Sequence, residues 1–296
     1  MMDANRALSG PPYGARGFGW RVQRAMRKGL LHLLIAAVII VFIFPIWVGV
    51  DTSIKPASQL RKFPTSVLTT SPTMEKYAQA LGPLKLYRYM GNTVIVAGAT
   101  TLLGLLVGSP AAYALSRFRF RGRSFFARTV LLIYMFPPML LIIPLYLMMT
   151  AVKVRDSLFS LIVTDTTFAL PFSIWMLKAF FDTVPRDLDD AALIDGCTPL
   201  SVLHRVLLPV SGPGVVATAV FCFMLGWGEY LFAVTFITTQ SLQPITVAVY
   251  ALISPFAVDP SLLMATSVIS AIPPVIFFFA AQRWIVQGLM AGAIKG

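Results

Sequence analysis

Residues 187–209, DLDDAALIDGCTPLSVLHRVLLP, form an acidic, helix-prone island in a chain that is otherwise mostly apolar. Local rules resolve the island into two short helices. Pro185 suits a first-turn position, and Asp187, Asp189 and Asp190 favour the positive end of a helix dipole. Leu188, Ala191 and Ala192 recur at helical spacing and give a narrow face of small residues. Gly196 is the expected stop, because the left-handed residue that follows a helix costs glycine least. Thr198 then caps a second helix starting at Pro199, with Leu200, Leu203, Val206 and Leu207 on its apolar side. Pro209 and Pro213 mark the return to apolar sequence.

The surroundings of the island set the fold class. Of 296 residues, 57% are hydrophobic and only 12% charged, too little charge to solvate the surface of a soluble domain. Crossing about 30 Å of hydrocarbon takes roughly 20 apolar residues as helix. Stretches 29–50, 91–115, 129–149, 158–181, 211–234 and 262–281 qualify. The first is too long for a signal-peptide core, and no small-residue cleavage site follows it. The expectation is an all-α polytopic membrane protein with six transmembrane helices in residues 29–296. A loop at 182–210, which holds the acidic island, joins the fourth and fifth spans. Residues 1–28, rich in Arg, Gly and Pro, read as a basic, disordered tail.

Sidedness follows from the cations. Arg6, Arg16, Arg21, Arg24, Arg27 and Lys28 precede the first span, and Arg117, Arg119, Arg121, Arg123 and Arg128 lie between the second and third. Residues 235–261 contain no Lys or Arg. The positive-inside rule places both termini in the cytoplasm, and with them the acidic island. Lys55, Arg61, Lys62, Lys76, Lys85 and Arg88 run against this count, but they sit in a long connection, which weighs less.

Several function classes drop out. Helix, glycine turn, helix also describes a DNA reader, but groove binding needs cations facing phosphates. Asp182, Asp187, Asp189, Asp190 and Asp195 here outnumber Arg186, His204 and Arg205. No GxxxxGK[ST] phosphate loop is present, so nucleotide chemistry falls to a partner. His32 and His204 lack ligand partners at useful spacing. Cys197 and Cys222 are too few for a disulfide framework and read as inert thiols. An apolar face on a water-exposed helix pair is a liability unless covered, which points to a soluble partner.

The island resembles the EAA loop of binding-protein-dependent ABC importer permeases, the type I, MetI-like group. The matching residues are Asp190, Ala191, Ala192, Asp195, Gly196, Leu203, Val206, Pro209 and Pro213. Spacings agree throughout, with Asp190, Leu203 and Val206 standing for the family's Glu, Phe and Ile. Further stretches are similar to the carbohydrate-uptake (maltose and oligosaccharide) permeases: SPAAYALSRFRFRG from Ser109, FALPFSIWMLKAFF from Phe168, GWGEYLFA from Gly226 and QRWIVQGLMAGAIKG from Gln282. Gly228 replaces that group's usual Asn.

The resemblance implies a non-catalytic permease subunit in a bacterial plasma membrane, taking up a di- or oligosaccharide. The implied partners are a second homologous permease, two ATP-binding subunits that bind ATP and Mg, and an extracytoplasmic solute-binding protein, with surrounding lipid and no nucleic acid. The nine loop residues would dock in an ATPase cleft, and Gly292, Ala293, Ile294, Lys295 and Gly296 would insert between the ATPases. The 236–260 segment would probe the binding protein, or else pack as a re-entrant element. Asp165, Trp227, Glu229 and Tyr230 are candidates for the translocation path; alternatively Asp165 is solvated at the outer interface and Glu229 pairs across a subunit interface. Glycerol 3-phosphate or another polyol as cargo, or a secondary transporter, are the competing readings.

Overall fold

The structure, a computed structural model, describes residues 17–60, 68–253 and 258–293. No strand occurs among them. Helix α1 (Gly17–Ser53) is followed by short α2 (Ala57–Leu60) and α3 (Glu75–Leu81), then by α4 (Leu86–Arg117). Next come α5 (Arg123–Tyr134), α6 (Ile142–Ala151) and α7 (Leu158–Thr183). The island supplies α8 (Asp187–Ile194) and α9 (Pro199–Val210), the latter containing a π-helical turn at Leu203–Leu207. The chain closes with α10 (Gly212–Gly228), α11 (Leu231–Phe236), α12 (Ile245–Tyr250) and α13 (Pro260–Ala293).

Four segments are long and apolar enough to cross a bilayer as single helices: Met26–Ser53, Leu86–Arg117, Leu158–Thr183 and Pro260–Trp284. The expected third and fifth spans differ from this. Residues 129–149 are not one helix: the chain turns by 90° between Arg123–Tyr134 and Pro138–Ala151. Pro137 and Pro138 cause the turn, since neither has an N–H to continue the ladder and each restricts the residue before it. The 211–234 stretch is also interrupted. Its helix ends at Gly228, Glu229 is extended (φ −65°, ψ 129°), and a separate short helix begins at Leu231.

At the other end, residues 17–28 extend α1 instead of belonging to an irregular tail. WRVQRAMRK contains no Gly or Pro, so a helix nucleated in the apolar run propagates back through it. Residues 1–16, the rest of the expected tail, lie outside the described residues.

The core is built where helices approach through small residues. A Cβ on Gly104 would stand 2.9 Å from the Cys222 sulfur, one on Gly226 2.9 Å from the Ala97 Cα, and one on Gly214 2.2 Å from the Phe180 ring. Without a hydrophobic gradient between lipid and protein, such close van der Waals packing is what holds membrane helices together. Ser173 adds a hydrogen bond to the Ala169 carbonyl at 2.8 Å and one shared with Cys222 at 3.1 Å. By contrast, α1 keeps its apolar side chains almost wholly exposed, from Leu30 to Ile46, and its main partner is α13.

Candidate functional site

The acidic island folds as its local rules require. Helix α8 carries Asp187, Asp189 and Asp190 in its first turn. Gly196 has φ +85°, and the Gly196 and Cys197 amides reach back to the Leu193 and Ala192 carbonyls at 3.0 Å each. This left-handed closure is the conformation for which a side chain is penalised. The Thr198 hydroxyl accepts from the Ser201 amide at 3.3 Å, with Pro199 in the first helical position. Such a cap contributes about 1 kcal/mol. The second helix then meets α10 at 87°, so it lies across the end of the bundle instead of along it.

What binds the pair to the bundle is a polar network between distant segments. Arg117, the last residue of α4, is ion-paired with Asp189 and donates to the Val184 carbonyl at 3.0 Å. Ser116 donates to Asp182 at 2.6 Å, and Arg186 donates to the Ser116 carbonyl at 3.2 Å. Lys178 pairs with Asp182 one turn below it. Beneath these contacts, Leu203 and Leu207 are buried against Ala112, Tyr113, Leu177, Phe181 and Val184.

The outward side of the pair is apolar and uncovered. Leu188, Leu193 and Leu200 are exposed, and Ile194 is 86% exposed. Asp187, Asp190 and Asp195 are exposed among these apolar side chains. Asp189 is turned inward, so only part of the acidic set faces out. The loop residues named by resemblance therefore divide in two. Asp190, Ala191, Asp195, Gly196 and Pro209 are exposed, Ala192, Val206 and Pro213 half-buried, and Leu203 lies on the inner side.

The path candidates also separate. Asp165 is buried on α7, 1% exposed, in line with Leu161 and Ala169, so solvation at an outer interface does not describe it. Neither of its oxygens has a hydrogen-bond partner among the described residues. Glu229 closes the break after α10: its two oxygens accept from the Phe232 and Ala233 amides at 2.7 and 2.8 Å. Trp227 is buried against Phe223, with ring centroids 5.6 Å apart, and Tyr230 meets Tyr250 at 4.7 Å.

The 236–253 segment folds back onto the bundle. Asn92 donates to the Ser241 and Gln243 carbonyls at 2.9 and 3.0 Å, and Thr93 accepts from the Ile245 amide at 2.8 Å. Asp156 accepts from the Thr239 hydroxyl at 2.6 Å and from the Thr238 and Thr239 amides at 2.8 and 2.9 Å. The Thr239 hydroxyl, then its amide, pull this carboxyl down to about 2. Of the C-terminal tail, Gly292 and Ala293 end α13, and Ile294, Lys295 and Gly296 lie outside the described residues.

An apolar helical bundle with interrupted spans and a short helix pair lying across one end is the build of a multi-pass membrane permease. Residues 101–291 match the family described as "Binding-protein-dependent transport system inner membrane component", and the chain belongs to that family. It is similar to the inner membrane ABC transporter permease protein YcjP of Escherichia coli (strain K12), 34% identical over 264 residues, covering 88% of this chain and 94% of that one. It is also similar to the trehalose/maltose transport system permease protein MalG of Thermococcus litoralis, 33% identical over 280 residues, covering 92% and 100%. Among solved structures, a chain of a bacterial ABC transporter that imports the acidic polysaccharide alginate superposes with TM-score 0.75 at 20% identity, covering 92% of this chain and 99% of that one. A chain of the MetNI methionine ABC transporter in an inward-facing conformation gives 0.57 at 20% identity, covering 70% and 98%. The fold is that of a type I ABC importer permease, and the protein is a multi-pass inner-membrane permease subunit.

Sequence reasoning missed Ser116, Arg117 and Asp182 as anchors of the island. The only signal was the crowd of charges at the ends of the second and fourth spans, which read as topology alone.

Proposed function

We propose that this chain is one half of the membrane pore of a binding-protein-dependent sugar importer, driven through the 187–210 helix pair by a cytosolic ATPase. The other half is a homologous permease, and an extracytoplasmic binding protein delivers a di- or oligosaccharide. The chain catalyses nothing itself; two partner subunits bind ATP and Mg. Six spans with both termini inside, two of them bent, put the helix pair on the ATPase side. The trehalose/maltose, trehalose and arabinooligosaccharide permeases among the relatives support a sugar over a polyol.

The observation that carries this reading is the uncovered crest of Leu188, Leu193, Ile194 and Leu200 on a pair anchored by Arg117 and Asp189. Exposed apolar side chains interleaved with aspartates fit a partner cleft that offers both apolar surface and arginines. Because the pair is rigid and tied to α4 and α7, closure of the ATPases moves those helices with it. Asp190, Ala191, Ala192, Asp195, Gly196 and Pro209 form the contact side, and Leu203, Val206 and Pro213 hold it to the bundle. Gly292, Ala293, Ile294, Lys295 and Gly296 reach between the two ATPases.

Gly196→Asp tests the reading, since φ +85° strains any L side chain and the turn sets the angle between the helices. Membrane insertion stays at the wild-type level and sugar uptake is lost. Unchanged uptake would contradict the proposal.

A further inference from the structure

The fifth span loses its helix beside a cavity. Helix α10 runs 17 residues and stops at Gly228, a rise of about 25 Å, which brings the break close to one face of a roughly 30 Å hydrocarbon layer. The start of α11 is already satisfied by the Glu229 carboxylate. The last carbonyls of α10 have no following helical turn to donate to them. Non-helical backbone at membrane depth is tolerated where protein buries it or where it lines a water-filled cavity. Half-helix ends at breaks also hold cargo in secondary transporters, there near the bilayer midplane.

The cavity beside the break measures about 390 Å³, and its walls include Trp227, Gly228, Tyr230, Thr246, Tyr250 and Ser270. This is the small end of the ~300–1,000 Å³ range of small-molecule sites. No lining side chain carries a formal charge. The Tyr230 and Tyr250 rings pack at 4.7 Å with a 42° tilt, while Trp227 rests on Phe223, which stacks in turn on Phe277 at 4.3 Å. Thr246 donates to the Glu229 carbonyl at 2.6 Å and Ser270 to the Ser267 carbonyl at 2.8 Å, leaving the lone pairs of both hydroxyls to accept. A Cβ on Gly228 would meet no atom within 4 Å. The missing side chain is therefore open space on the cavity wall.

A wall of aromatic and aliphatic side chains, Ile245, Val249 and Ile253 among them, with a few hydrogen-bond acceptors and no charge, fits a pyranose, which has an apolar C–H face and an edge of hydroxyl donors. We propose that the cleft at residues 228–230 is a binding site, within this chain, for one neutral sugar ring. The ring stacks on the Tyr230–Tyr250 pair, and its hydroxyls donate to Thr246, Ser270 and the terminal carbonyls of α10. Uronates and phosphorylated sugars are disfavoured because the cleft offers no cation to offset their charge. This inference rests on the reading of the chain as a sugar-importer subunit.

The test uses the complete importer in proteoliposomes, with radiolabelled neutral mono- and disaccharides, maltose and trehalose included, and with glucuronate as the charged probe. Gly228→Leu projects a side chain into the cleft from a position where a Cβ meets no atom within 4 Å, and Tyr250→Ala removes one of the two stacked tyrosines at a side chain that is 55% exposed. Each lowers import of the neutral sugar about tenfold or more, together with the amount moved per ATP hydrolysed. Wild-type import by both Gly228→Leu and Tyr250→Ala would overturn the site, as would glucuronate import that depends on Tyr250 as strongly. A wild-type importer that carries no neutral sugar would instead overturn the functional reading on which the site rests.

Discussion

The Arg117 guanidinium at the end of α4 is ion-paired with Asp189 in α8, 72 residues further along the chain. Both side chains are 8% exposed. The pair ties α8 to the helix that packs most extensively against α7, so any force applied to the island would reach the bundle through a short connection. Removing one member of a buried pair leaves an uncompensated charge, at a cost of about 3–5 kcal/mol. Arg117→Met therefore lowers the unfolding free energy of the purified chain by roughly that amount, and Arg117→Met with Asp189→Leu restores most of it. A loss below about 1 kcal/mol in the single variant, the size of an exposed pair, would contradict the anchoring role.

Ile194 is the most exposed of the large apolar side chains on the island. It belongs to no hydrophobic cluster among the described residues, so Ile194→Asp leaves thermal stability within about 0.5 kcal/mol of wild type. Assembly with the ATPase subunits weakens about tenfold or more, because a buried apolar anchor becomes an unpaired charge at the contact. Co-purification yields measure this. An unchanged yield would show that the crest is not the docking surface.

Asp156 staples the start of the 236–253 segment through Thr238 and Thr239. Its carboxyl, ordinarily near 3.8, is held at about 2 by those hydrogen bonds. A depressed carboxylate contributes stability that is fully present above 3.8 and is lost as pH falls through about 2. The attachment is thus intact at neutral pH and insensitive to mild acidification. Asp156→Asn accelerates amide hydrogen exchange at Thr238 and Thr239 while the bundle stays protected, and a carboxyl titration of Asp156 has its midpoint near 2. A midpoint at the ordinary value would contradict the staple.

How far the sequence discloses this molecule depends on the range of the interaction. Gly196, Thr198 and Pro199 were legible because a left-handed stop, a hydroxyl cap and a first-turn proline act within three or four residues. The Arg117–Asp189 pair was not, since a cation in a basic connection and an aspartate in an acidic helix carry no mark of each other. Leu203 looked like one more apolar position on the docking face, and only the packing of α9 on α4 and α7 turns it inward. Pro137–Pro138 was a visible breaker inside the expected third span, overridden there by hydropathy. The break at Glu229 had a weaker sign, an acid followed by an apolar run, which becomes a helix start only when the chain bends there.

In the proposed mechanism, sugar moves only when an ATPase drives the 187–210 helix pair. The most direct measurement is uptake of labelled sugar into proteoliposomes holding the two permeases, with the ATPase subunits and ATP supplied inside and the binding protein outside, and each component omitted in turn. The account predicts that uptake stops when ATP, the ATPase subunits or the binding protein is withheld. Uptake that persists without the ATPase subunits, sustained by an ion gradient alone, would contradict it.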